Sequence, residues 1–80
     1  MERRIGAISI IVKMESEALK EVNRLLSHFW WLIIARMDIP YREKGVYVLT
    51  VIINGTTDDV GAFTGRLGNL KNVRVKSLLI

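Results

Sequence analysis

The sequence predicts an α+β fold: four strands forming one antiparallel sheet, with two helices covering one of its faces. Three observations lead there. Four segments are rich in β-branched residues over strand lengths, and two others place apolar residues three and four apart. The segments follow one another as strand, helix, strand, strand, helix, strand. A chain of 80 residues is expected to make a single small domain, residues 1–80.

Arg4 to Lys13 is isoleucine-rich, and both sides of its alternation are mostly apolar, which describes a strand buried on two faces. Met14-Glu15-Ser16-Glu17 then places a capping residue and acids where a helix begins. Leu19, Val22, Leu25, Leu26 and Phe29 form the apolar stripe of that helix, opposite a solvated face of Glu17, Lys20, Glu21 and Arg24. The period changes at Trp30, and Trp30 to Ile39 reads as the second strand. In it the adjacent Trp30 and Trp31 point to opposite faces, one into the core and the other to a subunit contact or rim.

Asp38 to Gly45 holds the sole proline and a turn glycine, and is expected to be the loop of a hairpin. Val46 to Ile53 is the third strand, and Asn54-Gly55 the turn after it. Thr56 or Thr57 caps the second helix, with Asp58 and Asp59 in its first turn and Val60, Phe63, Leu67 and Leu70 as its buried stripe. Lys71-Asn72 closes it, asparagine suiting a left-handed position, and Val73 to Leu79 is the last strand. Right-handed crossovers arrange the strands in the order 4-1-3-2, a ferredoxin-like βαββαβ sandwich.

Half of the residues are hydrophobic and the mean hydropathy is +0.26. A chain this small buries only about 60% of the surface its unfolded form exposes, so one copy has more apolar surface than it can conceal. The helix-free side of the sheet would hold Ile5, Ala7, Ile11, Leu32, Ile34, Val48 and Ile52. Of these, Ile11, Leu32, Ile34, Val48 and Ile52 are expected to form an interface between copies, in a dimer or a tetramer.

The absence of cysteine excludes disulfides, thiolate metal sites and cysteine nucleophiles together. A membrane span needs about 18 consecutive apolar residues, far more than the run from Phe29 to Ala35. The start, Met-Glu-Arg-Arg, passes straight into a strand pattern without the cleavage site of a secretory signal, so a cytoplasmic protein with no membrane partner is expected. His28 is the only histidine, and a place at the end of a helix explains it better than metal ligation. Neither a nucleophile–base unit nor a phosphate-cradling glycine loop is recognisable; the expectation is no enzyme, no metal and no cofactor.

Nucleic acid is argued against as a partner. Arg66, Lys71, Arg74 and Lys76 are basic and close in sequence, but the third strand offers one ring, Tyr47, for base stacking. Small-molecule contacts are expected at the start of the first helix, Met14, Glu15 and Ser16, where exposed N–H groups favour anions. Gly61 and Gly65 are further candidates, because with Gly68 they cluster on the side of the second helix opposite Val60, Phe63, Leu67 and Leu70, where each costs about 1 kcal/mol relative to alanine. Contact with another subunit or a ligand would explain that cost; tolerated glycines are the alternative. Arg36 and Arg42 flank Pro40 and either hold an anion bidentately or pair with Asp38 and Glu43.

Three stretches carry a resemblance: Arg36-Met37-Asp38-Ile39-Pro40-Tyr41-Arg42-Glu43-Lys44-Gly45, then Asp58 to Gly68, then Val73-Arg74-Val75-Lys76. Through them the chain resembles the iron-only hydrogenase system regulators, a family similar to ACT domains and to the nickel-binding domain of nickel-responsive repressors. The resemblance implies an ACT-like fold, association through sheets or helices, and a regulatory role tied to hydrogenase maturation; a structural protein-interaction module without a ligand is the alternative. The histidine and cysteine ligands of the nickel domain have no counterpart here, so nickel is not implied. Where the ACT ligand loop has a glycine, this chain has Lys13-Met14-Glu15-Ser16, which argues against an amino-acid ligand. With no DNA-binding segment ahead of the fold, regulation is expected to act through a partner or a small molecule.

Overall fold

The computed structural model describes residues 2–80. Strand β1 (Arg4–Lys13) leads to helix α1 (Ala18–His28), then strands β2 (Ile33–Tyr41) and β3 (Val46–Gly55), helix α2 (Thr57–Gly68) and strand β4 (Val73–Leu79). All neighbouring strands are antiparallel, in the order β2-β3-β1-β4, which is the expected 4-1-3-2 read from the other edge. Residues of β1 and β3 that share a face pair directly, Ile8 with Val51 and Ile10 with Leu49, and all four are buried. Over them lie Ala18, Val22, Leu25 and Leu26 of α1 and Val60, Phe63 and Leu67 of α2. The rings of Phe29 and Phe63, 4.9 Å apart, join the two helices.

The helix starts differ in chemistry. Thr56 caps α2 through its hydroxyl, which accepts the Asp59 N–H at 3.1 Å, and Asp58 and Asp59 occupy the first turn. At α1 the residue next to the helix, Glu17, makes no side-chain cap. Ser16 acts from one position further back: its hydroxyl accepts the Ala18 N–H at 3.3 Å and donates to the Lys13 carbonyl at 2.7 Å.

The second strand begins later than the alternation predicts. Trp30–Leu32 forms a 3-10 turn, whose three-residue period sets Phe29 and Leu32 on one side. Those two are buried, whereas Trp30 is 72% and Trp31 42% exposed, so neither tryptophan enters the core as expected. Leu32 also leaves the expected interface. It is 1% exposed and fills the space above Gly55, where an added Cβ would lie 2.5 Å from its Cδ2. Between Ile33, opposite Ile53, and Ala35, opposite Ile52, the register shifts, and Ile34 is the additional residue.

The hairpin loop is shorter than expected. β2 runs on through Pro40, which an edge strand tolerates, and only Arg42–Lys44 turn. Gly45 closes the turn at φ 66°, donating its N–H to the Arg42 carbonyl at 3.0 Å.

Both helices lie on one face. The register places Ile5, Ala7 and Ile11 of β1, Val48 and Ile52 of β3, and Met37 and Ile39 of β2 on the other. On that face Met37 is 63%, Ile11 44% and Ile52 37% exposed. Among the described residues no helix is long and apolar enough to cross a membrane.

The placement of the 3-10 turn has a measurable consequence. Leu32→Ala is expected to destabilise the fold by about 2–5 kcal/mol in urea denaturation, and Trp30→Ala by no more than about 0.5 kcal/mol. The reverse ranking would contradict the turn.

Candidate functional site

Antiparallel pairing brings the end of β1, the β2–β3 turn and the start of β4 to one end of the sheet. The three connections frame an open groove of about 910 Å³. Backbone bonds tie them together: the Met14 N–H donates to the Gly45 carbonyl at 2.8 Å, and the Lys13 N–H to the Asn72 carbonyl at 2.9 Å. Each connection also contributes one left-handed residue, Glu15 at φ 59°, Gly45 at 66° and Asn72 at 65°. These are all the positive-φ positions among the described residues, and all three line the groove. Ile11, Val46 and Val73 give it apolar walls; Lys13, Arg42, Lys44 and Arg74 give it positive charge.

The expected site residues separate. Met14, Glu15 and Arg42 come together in this groove. The hydroxyl of Ser16 is occupied by backbone groups. Arg36 lies apart from Arg42: its guanidinium donates to Asp38 at 3.0 and 2.5 Å and to Asn23 Oδ1 on α1 at 3.1 Å. For Arg36 the expected alternative, pairing with Asp38, is the arrangement present, and it lines a different, smaller depression beside Trp30. Gly61, Gly65 and Gly68 lie on a smooth flank of α2, where an added Cβ on any of them would meet nothing within 4 Å. Arg66 leaves α2 from another side, its guanidinium 5.8 Å above the Phe29 ring.

His28 sits in the last turn of α1, its ring edge-on to Phe29. Among the described residues no three His, Cys, Asp or Glu side chains are grouped closely enough to hold a metal ion. The sequence reading missed Lys13, Lys44 and Asn72 as groove residues and considered Arg74 only for nucleic acid. The available signal was topological: in this strand order the residues flanking Lys13, Gly45 and Asn72 must converge.

The strand order and the helices packed on one face define an ACT-like domain. The fold matches the ACT domain of the GTP pyrophosphokinase of Chlorobium tepidum with a TM-score of 0.78 and 17% identity, over 95% of this chain and 99% of that one. More specifically, residues 4–77 match the family described as "TM1266-like: Iron-only hydrogenase system regulator, putative", and the chain belongs to that family. It is similar throughout to the solved structure of TM1266 from Thermotoga maritima, at 32% identity and a TM-score of 0.95 over 99% of both chains. A curated relative, an uncharacterized transcriptional regulator of Methanocaldococcus jannaschii, is 27% identical over 78 residues. That alignment covers 98% of this chain, which thus spans 58% of the relative's length.

The glycine flank of α2 yields a test. Gly65→Ala fills open space in one copy, so it is expected to raise stability by up to about 1 kcal/mol in thermal or urea unfolding. If the same substitution weakens association between copies, a neighbouring subunit approaches this flank; a gain in stability with association unchanged leaves the flank to solvent.

Proposed function

We propose that the chain is a non-enzymatic regulatory domain of an iron-only hydrogenase system, and that residues 1–80 work as one unit in an assembly of copies joined through the helix-free face of the sheet. The family description supports the regulatory role. The observation that carries the assembly is the exposure of large apolar side chains across strands that a solvated sheet would alternate with polar ones. Val48 and Ile52 form the centre of the contact, with Ile11 at its β1 side and Ile34 at the register shift toward its margin.

Charge distribution favours a second copy as the occupant. The cations on this face, Lys13, Arg74 and Lys76, sit at the end of β1 and along β4, while β2 and β3 present Met37, Ile39, Val48 and Ile52. Two copies stacked over β2 and β3 bury the apolar half and keep like charges apart. Regulation then follows by population shift: a small molecule or protein partner that prefers one geometry of the assembly stabilises it by its difference in affinity for the alternatives.

Sedimentation velocity at micromolar concentration tests the assembly. The wild-type chain is expected to sediment as a dimer or tetramer, and Ile52→Glu as a monomer with unchanged helix content by circular dichroism. A wild-type chain that stays monomeric contradicts the proposal.

A further inference from the structure

We infer that the groove at the end of the sheet is a binding site for a small, multiply charged organic oxyanion, its charges carried by phosphate or carboxylate groups. This deepens the proposed function by naming the class of effector. The groove is lined by the cations of Lys13, Arg42, Lys44 and Arg74 against one acid, Glu15. The ion pairs among the described residues are Arg24–Glu21 and Arg36–Asp38, so none of the four cations has a carboxylate partner. Gathering four like charges around a single acid opposes folding unless something else is gained.

The framework is costly in a second way. Glu15 holds a left-handed conformation that costs a side-chain-bearing residue roughly 1–2 kcal/mol, and Gly45 and Asn72 adopt the same region beside it. The two cross-loop backbone bonds fix these turns relative to one another, so the cations project from a preorganised frame. Two guanidiniums supply planar forks for oxyanions and two ammoniums supply point charges. The apolar walls, Ile11 and Val46, suit the organic part of such a ligand. A volume of about 910 Å³ is in the range of small-molecule sites.

A nucleic-acid strand fits less well. It needs cations that follow a backbone and several rings that stack bases, but beyond Lys76 the open face continues in Ser9, Thr50 and aliphatic side chains, with Tyr41 the one ring that the paired strands present there. One copy of the chain supplies the whole groove, so binding does not require association.

Calorimetric titration and amide chemical-shift mapping of the full chain with inorganic pyrophosphate, citrate and ADP test the inference. The expected result is saturable binding of at least one of them, weakened by added salt, with shifts centred on residues 13–15, 42–46 and 72–74. A phosphate-bearing probe binding best identifies a phosphoryl ligand, and citrate binding best a polycarboxylate; either supports the site. Replacing two cations, Arg42→Gln with Arg74→Gln, is expected to weaken binding at least about tenfold at unchanged melting temperature. If that variant fails to fold, Lys13→Gln with Lys44→Gln gives the same reading.

Absence of saturable binding for all three probes at millimolar concentration overturns the inference, as does equal affinity in a folded double variant. Binding of a short single-stranded oligoribonucleotide in place of the small anions overturns it too. Ile52→Glu separates the two proposals. Anion binding by a wild-type chain that proves monomeric refutes the assembly alone, and an assembly that Ile52→Glu dissociates but that binds no anion refutes the groove alone.

Discussion

Two helices can cover one face of a four-stranded sheet, and the central strands of this sheet are largely apolar on both, the paired Ser9 and Thr50 apart. On the helix side, Ile8, Ile10, Val12, Leu49, Val51 and Ile53 are fully or almost fully buried. Their chain neighbours Ile11, Val48 and Ile52 have the same chemistry on the side without helices. A period of two forces this division: a strand cannot turn both sets of side chains inward. Whatever the domain does, it does with a finished core on one side and an unfinished one on the other.

The two ends of the sheet differ as sharply as its faces. At one end the chain leaves α1 through a tight turn that inserts Phe29 and Leu32 and leaves Trp30 and Trp31 largely outside. Gly55 makes room for Leu32, so a missing side chain on β3 and a leucine from the turn act as one packing unit. At the other end three connections meet, each with a left-handed residue, and four cations collect around a groove. The rings of Phe29 and Phe63 join the two helices over the sheet. Because the groove borders the open face through Ile11, an occupant there lies beside the surface proposed to join copies.

Much of this architecture was legible in the sequence. The stripes Val22, Leu25, Leu26 and Val60, Phe63, Leu67 have a helical period that admits one reading, and the connection lengths leave one strand order compatible with right-handed crossovers. Alternation groups Ile5, Ala7 and Ile11 on one side of the first strand and Val48 and Ile52 on one side of the third. With both sides apolar, only the strand register and the packing of the helices decide which side lies open. Leu32 could not be grouped even so. From Phe29 to Ala35 every residue is apolar, so neither a period of two nor one of three stands out, and the choice was made by Gly55, 23 positions away. The groove was harder still. Its cations lie tens of residues apart, and Lys13, Lys44 and Arg74 look like ordinary solvated charges until the strands are paired. The resemblance carried by residues 36–45, 58–68 and 73–76 identified the family and includes Arg42, Lys44, Gly45, Val73 and Arg74 of the groove, but nothing in those stretches alone brings them together.

The central claim, that the helix-free face meets the same face of another copy, is most directly tested by isotope-filtered nuclear Overhauser spectroscopy on a mixture of differently labelled chains. The account predicts cross-peaks between copies among the methyl groups of Ile11, Val48 and Ile52. Contacts between copies that arise only from Trp30, Trp31 or the flank of α2, with these methyls silent, would contradict it.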